Sequence, residues 1–382
     1  MSRPEDHRVA EALAMDIAQI VDLLGISGLK RAGRELTGPC PQCGGRDRFS
    51  VNTSKRVFNC RRCGATGGNV DLVMFTLSLA FPAALSWLCG ERQELTPEQR
   101  RERERKAAEN KRRNDERAQR ERERAIAAAR EIWKAAAPAE GTAVRGYLRL
   151  RGISDAAWPI LPPAIRFHPA LPYMQQIDGR WVEVYRGPAM VAAMQGRDDR
   201  FRGVHRTWID LDQPKGKPVI LHPETGERLK VKLTLGSAKG SAIRLTPPSP
   251  VLVMGEGIET TASALVTGLP SGAAYWSGIS LGNMGGARQL GQGLRFAGVP
   301  DMSDADAFVP PHGTERLIFI QDGDSDPKLT RAKLLAGLRR AMMLRPGLRA
   351  QIVHAGAGVD LNDVLLGNDR AASTNDKGQS ND

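Results

Sequence analysis

Cys40-Pro41-Gln42-Cys43 and Cys60-Arg61-Arg62-Cys63 constrain the fold of this chain more than any other feature. Sixteen residues separate the two CxxC pairs. Knuckles at that spacing place four thiolates tetrahedrally around one Zn²⁺, and such a closed site is structural rather than catalytic. Gly44, Gly45 and Gly64 follow the cysteines, where tight turns require backbone angles that only glycine adopts freely. Between the pairs, Phe49, Val51, Val57 and Phe58 alternate as strand residues do, so a ribbon of short strands is expected. Four of the five cysteines belong to this motif, which fits metal binding in a reducing compartment rather than a disulfide framework. The fifth, Cys89, lies in an apolar helical stretch and reads as a small buried residue.

A second pattern lies far downstream. Val251-Leu252-Val253-Met254 runs into Gly255-Glu256-Gly257, and Leu317-Ile318-Phe319-Ile320 runs almost directly into Asp322-Gly323-Asp324. Each apolar run reads as a buried parallel strand, and open α/β sheets bind ligands at the carboxyl ends of such strands. A glutamate and an Asp-x-Asp pair brought together there form a divalent-metal site suited to phosphoryl chemistry. Glu256 can serve as a general base or hold metal indirectly. Asp322 and Asp324 can face one hard cation. Glu259, Asp326 and the run Asp360-Leu361-Asn362-Asp363 could extend the cluster, although each acid alone is equally a turn or helix-cap residue. Clustered carboxylates in a basic protein are costly unless metal neutralises them.

The chain carries 55 Lys and Arg against 43 Asp and Glu, a formal charge of +12, so a polyanion, nucleic acid foremost, is the expected partner. It has no apolar stretch long enough to span a membrane and no uncharged signal-peptide core, which predicts a cytoplasmic protein. Residues 1–92 read as a zinc-ribbon DNA-binding unit. Ile17, Ile20, Val21 and Leu24 mark one face of a short helix, and a further apolar helix runs from about Val70 to Leu88, with Asn69 or Asp71 as its cap. Residues 93–130 form a charged helical linker, rich in Glu/Arg pairs three or four apart and without the apolar stripe of a coiled coil. A middle domain of short strands and turns covers 131–248. Residues 249–367 alternate strand and helix, the pattern of parallel strands with crossover helices. Residues 368–382 form a polar tail expected to be disordered. The predicted fold class is therefore multidomain α/β: zinc ribbon, helical linker, α+β middle domain and a Rossmann-like parallel α/β domain. In the ribbon, Arg46, Arg48, Lys55, Arg56, Arg61 and Arg62 interleave with aromatics, a composition that suits single-stranded nucleic acid.

These motifs resemble a known family. The four-cysteine stretch CPQCGGRDRFSV…FNCRRCGATGGNVDLVMF is similar to the zinc-binding domain of DnaG-type primases, and the two acidic strands resemble the Toprim fold. The family commonly uses a histidine as one zinc ligand; Cys43 stands in that place here, as in relatives carried by phages and mobile elements. IWKAAAPAEGTAVRGYLRLRGI, GVHRTWID, GSAKGSAIRL, EGIETTASA and GVDLNDVL look like the primase-like proteins of such elements. The resemblance implies a DNA primase of a phage, plasmid or other mobile element that makes short RNA primers on single-stranded DNA from ribonucleoside triphosphates. It implies Mg²⁺ or Mn²⁺ at Glu256, Asp322, Asp324 and Asp360, with Glu256, Asp322 and Asp324 catalytic. Cys40, Cys43, Cys60 and Cys63 would hold one structural Zn²⁺. The family's aspartate soon after the glutamate is Glu259 in this chain. Arg206, Lys230, Lys232, Arg61 and Arg62 are the implied contacts to nucleic acid or nucleotide. The chain has no GxxxxGK[ST] motif and so no P-loop helicase of its own; a separate replicative helicase is the expected partner. Two other readings stay open: a Toprim nuclease or topoisomerase, which would need a positioned tyrosine from among Tyr147, Tyr173, Tyr185 and Tyr275, and a non-catalytic zinc-containing replication factor that binds single-stranded DNA.

Overall fold

Strand alternation sorts aromatic from charged side chains in the N-terminal segment. In the computed structural model, which describes residues 6, 8–90, 97–268, 270–291, 294–321 and 326–354, five short strands pair in chain order. They are β1 (Lys30–Ala32), β2 (Glu35–Cys40), β3 (Gly44–Asn52), β4 (Val57–Cys60) and β5 (Thr66–Gly67), all antiparallel. Phe49, Val51 and Phe58 point inward and are buried, and Phe75 stacks on Phe58 with ring centroids 5.4 Å apart. Against this sheet pack α1 (Arg8–Ala14), α2 (Ile17–Leu23), α3 (Asn69–Leu77) and α4 (Phe81–Cys89). The expected α2 face is present, with Ile17, Ile20 and Val21 buried.

The single apolar helix expected from Val70 to Leu88 is two helices. The chain turns by 109° between them at Ser78, which adopts a left-handed φ of 54°, and Pro82 starts the second helix. Proline tolerates a first helical turn but not a helix interior, which explains the break. Gly68 is the N-cap of α3, and its N–H donates to Asp71 at 2.8 Å; Asn69 instead turns inward and donates to the carbonyls of Ala12 and Met15. Among the described residues no single helix is long and apolar enough to cross a membrane.

The chain divides into two compact units: Met1–Glu121 with Gln175–Val182, and Arg122–Met174 with Glu183–Asp382. The charged segment forms one helix, α5 (Pro97–Ala135), laced with pairs such as Arg113–Glu109 at 2.8 Å. In the first unit Arg34 of the ribbon pairs with Glu121 of this helix at 2.9 Å. In the second unit Ala129, Ile132 and Trp133 at its other end enter an apolar core.

The second unit holds two sheets. One has the order β10-β9-β8-β7-β6, built from β6 (Ala137–Pro138), β7 (Ile165–Ile177), β8 (Arg180–Gln195), β9 (Phe201–Trp208) and β10 (Lys232–Gly236). Its central strand is buried on both faces. Ala189 and Val191 join the core that receives α5, while Met190, Ala192 and Met194 face α6 (Ala143–Leu150) and α7 (Ile258–Val266). The other sheet has the order β11-β13-β12-β14-β15: β11 (Ile243–Arg244), β12 (Val251–Gly255), β13 (Ala274–Ser277), β14 (Arg316–Gln321) and β15 (Arg349–His354). The last four run parallel, and β11 lies antiparallel at the edge. From β12 the chain moves outward to β13, then returns past β12 to β14. Strand order thus reverses beside β12, the place where doubly wound sheets form their ligand crevice. Helix α9 (Pro327–Leu344) covers one face, with Leu334 and Leu338 against Leu252, Met254, Leu317 and Phe319.

Candidate functional site

The four cysteines converge as their spacing requires. Their sulfurs lie within 4.8 Å of one another, with Cys40 Sγ and Cys63 Sγ 3.8 Å apart and Cys43 Sγ and Cys60 Sγ 3.7 Å apart. A tetrahedron with Zn–S bonds of about 2.3 Å has edges of about 3.8 Å, so the donor set fits Zn²⁺. Backbone amides support it: Gln42 N donates to Cys40 Sγ at 3.4 Å and Cys63 N to Cys60 Sγ at 3.3 Å. Gly45 and Gly64 carry the positive φ values, 92° and 68°, that the knuckle turns demand. Cys40 and Cys60 are buried in the same core as Phe49 and Phe58, so metal and hydrophobic burial hold one structure together. The aromatics interleaved with basic residues are therefore core, not stacking platforms for bases. Outside remain the basic side chains, with Arg46, Lys55, Arg61 and Arg62 exposed; Arg61 pairs with Asp47 at 2.7 Å.

Glu256 stands at the carboxyl end of β12, where strand order reverses. Its loop is locked from several sides. Thr261 Oγ1 accepts from Gly255 N at 3.2 Å and donates to Gly257 O at 2.7 Å, while Ser277 Oγ donates to Glu256 O at 3.0 Å. The Glu256 side chain is half-buried. On α9, burial and then the charge of Arg288 pull the Lys333 ammonium below its ordinary pKa, and the Glu256 carboxylate opposes them. Asp322, Asp324, Asp360, Asn362 and Asp363 lie outside the described residues. Asp326 caps α9, accepting from Lys328 N at 3.0 Å and Leu329 N at 3.1 Å.

Glu259, in the first turn of α7, faces inward. It is 4% exposed, its Oε2 accepts from Lys232 Nζ at 2.7 Å, and its Oε1 accepts from the Tyr147 hydroxyl. Burial alone would raise the Glu259 carboxyl. The charges of Lys232 and Lys217 and the hydrogen bonds from Lys232 and Tyr147 outweigh it and hold the group well below the usual carboxylate range. Burial, helped by Lys232, lowers Lys217 to about 8 and His205 to about 4. His205 Nδ1 is closed off from solvent, without a hydrogen-bond partner among the described residues. One carboxylate, two lysines and a tyrosine from α6, α7, β10 and the loop before it thus form a buried polar cluster beside the Glu256 loop. Tyr147, Lys217 and His205 follow no spacing rule, and sequence reasoning passed over them in these roles.

The remaining basic residues divide. Arg206 sits opposite Leu233 across β9 and β10, with its guanidinium 5.4 Å from the Trp208 ring centroid and a pKa that burial lowers to about 10. The Lys230 carbonyl accepts from the Tyr173 hydroxyl at 3.0 Å. Arg145 is structural: 5% exposed, it binds Glu140 and the carbonyls of Trp158 and Pro159. Tyr147, Tyr173 and Tyr275 are buried, and Tyr185 is half-buried.

Residues 7–104 match the family described as CHC2 zinc finger, and residues 123–245 match a domain of unknown function, DUF7146. No curated protein matches the sequence. Among solved structures, the chain is similar to the Aquifex aeolicus primase (zinc binding and RNA polymerase domains) at 12% identity. That likeness covers 96% of this chain and 83% of the other, with a TM-score of 0.33. The primase fragment of the bacteriophage T7 primase-helicase protein is 14% identical over 87% of this chain and 96% of its own, with a TM-score of 0.29. A DNA primase domain from Pseudomonas aeruginosa is 10% identical over 64% and 74%, with a TM-score of 0.35. Residues 7–104 thus carry a zinc finger of the CHC2 kind, in the four-cysteine form that the converging sulfurs show.

Proposed function

We propose that this protein is a DNA primase that synthesises short RNA primers on single-stranded DNA, in the replication of a phage, plasmid or other mobile element. The observation that carries the reading is the pairing, in one chain, of a DnaG-type zinc ribbon with a parallel sheet that presents Glu256 at its switch point. Mg²⁺ or Mn²⁺, held by Glu256, Asp322, Asp324 and Asp360, would neutralise the triphosphate and activate the attacking 3′-hydroxyl. Glu256, whose loop backbone is fixed by Thr261 and Ser277, would act at the strand end as a general base or as a metal partner. Arg206, Lys230, Lys232, Arg61 and Arg62 are the proposed contacts to nucleic acid or nucleotide, with Lys232 on the α7 face of β10 and Arg206 on the other face beside Trp208. The domains are read as 1–92 ribbon, 93–130 helical linker, 131–248 middle domain and 249–367 Toprim catalytic domain. The cytoplasm is the proposed compartment, and a separate replicative helicase the proposed partner.

The test is primer synthesis on mixed-sequence single-stranded DNA with labelled ribonucleotides and Mg²⁺. Short products from the wild type and none from Asp322→Ala, with DNA binding retained, are expected. Full synthesis by Asp322→Ala would overturn the assignment.

A further inference from the structure

Ile279 holds a costly backbone conformation. Among the described non-glycine residues with positive φ it alone is β-branched, at 71°. Its branched Cβ crowds the backbone there, and such a residue persists only where its surroundings over-determine it. Gly278 O accepts from Ser280 N at 2.7 Å, so Gly278-Ile279-Ser280 is a γ-turn of the rare, strained hand. It joins β13 to α8 (Leu281–Gly285).

The surroundings hold every residue of this turn. The Ile279 side chain is half-buried and packs against the core formed by α6, α7 and β8. A Cβ on Gly278 would lie 2.2 Å from Met284 Cγ, which leaves no room for a side chain there. Ser280 Oγ accepts from Asn283 N at 3.1 Å and caps α8. Asn283, 7% exposed, donates to Gly278 O at 2.9 Å. It also donates to Ser241 O and accepts from Gly240 N, both at 2.7 Å. The Gly236–Ser241 loop that leaves β10 is thereby tied to the same turn.

The turn reaches the Glu256 backbone by two routes. Gly278 N donates to Gly255 O at 2.8 Å. Ile279 N donates to Ser277 Oγ at 3.3 Å, and Ser277 is 1% exposed. A serine hydroxyl has one proton. Because Ser277 Oγ accepts from Ile279, that proton is left for Glu256 O, 3.0 Å away. With β13 and α8 fixed on either side, relaxation of Ile279 must rotate one of its flanking peptides, and the peptide before it carries the N–H that Ser277 accepts.

We propose that Ile279 is a positioning residue for Glu256. Its packing maintains the strained turn, and the turn, acting through Ser277, fixes the backbone that carries the candidate catalytic carboxylate. The consequence for turnover rests on the primase reading; the consequence for the loop does not.

The test compares the full-length wild type with Ile279→Gly, Ile279→Val, Ser277→Ala and Ile279→Gly/Ser277→Ala. Glycine adopts the turn without strain but removes the packing that enforces it, whereas valine keeps the β-branch. Urea unfolding confirms that each variant is folded. Amide hydrogen exchange of peptides spanning 255–258 and 277–280 reads the loop, and primer synthesis reads kcat and KM. Ile279→Gly should speed exchange in both peptides and lower kcat by at least about tenfold, with KM within about twofold, as a misplaced catalytic group does. Ile279→Val should restore most of the rate and protection. The double variant should fall no further than Ser277→Ala alone, since both changes break one chain of hydrogen bonds. Wild-type exchange at 255–258 in Ile279→Gly, or effects that multiply in the double variant, would overturn the proposal. So would a wild-type kcat in Ile279→Gly when the wild type makes primers. If Ile279→Gly does not fold, Ile279→Ala takes its place against the same outcomes. A wild type that makes no primers refutes the primase reading alone, because exchange still decides whether Ile279 positions the Glu256 loop.

Discussion

Lys232 Nζ lies 2.7 Å from Glu259 Oε2, a bond that joins β10 to the first turn of α7. Glu259, which the sequence offers as a possible extension of the acidic cluster, is the anionic centre of a cluster with Lys232, Lys217 and Tyr147. Its position three residues beyond Glu256 makes it a positioning residue: it anchors the helix that follows the candidate catalytic loop.

Breaking this pair exposes its value. Glu259→Ala leaves Lys232 and Lys217 without their counter-charge and the Tyr147 hydroxyl without its acceptor. Removing one partner of a fully buried pair costs about 3–5 kcal/mol. Because Lys232 keeps 34% of its side-chain surface in water, a loss of about 2–4 kcal/mol is expected in urea unfolding. The double variant Glu259→Ala/Lys232→Ala should lose less than the sum of the two single changes.

The same cluster sets a pH signature. The folded-state pKa of Glu259 lies below its ordinary 4.5, so the folded chain binds this proton less readily than the unfolded chain. Its stabilising contribution is complete above pH 4.5 and is lost as pH falls toward the folded value. The stability difference between wild type and Glu259→Gln should therefore shrink below pH 4.5. Lys217 titrates near 8 in the folded chain against an ordinary 10.5. Between those values the unfolded chain holds the extra proton, so this lysine makes stability rise with pH across that window. Lys217→Met should flatten the rise, as measured by urea unfolding from pH 7 to 10.

Zinc removal should melt the ribbon. Cys40 and Cys60 sit in the core with Phe49, Phe58 and Leu72, and structural Zn²⁺ contributes about 10–16 kcal/mol in small zinc domains. Metal analysis should give one zinc per chain. Chelation, or Cys43→Ser, should abolish it, with loss of near-ultraviolet dichroism and weaker DNA binding. A chelated ribbon that stays folded would contradict the proposed linkage of metal to core.

Asn283→Ala should loosen the Gly236–Ser241 loop. Three hydrogen bonds disappear, and the Gly240 amide and the Ser241 and Gly278 carbonyls lose their partner. A loss of about 2–4 kcal/mol is expected, with faster amide exchange at Gly240 as the local readout.

Much of this architecture is legible in local patterns. The four cysteines converge because two short knuckles and a hairpin leave their sulfurs few other arrangements. Val251–Met254 and Leu317–Ile320 are parallel strands because continuous apolar runs need cover on both faces, which α7 and α9 supply. Helix α5 follows from its Glu/Arg spacing. The break at Ser78 was less visible, since apolar composition runs unbroken through it and Pro82 alone marks it.

The candidate site was legible only at Glu256. Its position is a strand end, and strand ends are written in consecutive residues. The Tyr147 hydroxyl meets Glu259 across 112 residues of sequence, and Lys232 meets it across 27. No periodicity encodes such meetings; they depend on how α6, α7 and β10 pack around the buried strand β8. The sequence alone therefore determined the zinc ligands, the strand that carries Glu256 and the basic character of the chain, because spacing and composition act locally. Tertiary structure alone decided that the ribbon aromatics are core, that Glu259 belongs to lysines and a tyrosine, and that Asn283 binds the glycine loop to the Glu256 strand. Burial and long-range contact, not residue type, set those roles.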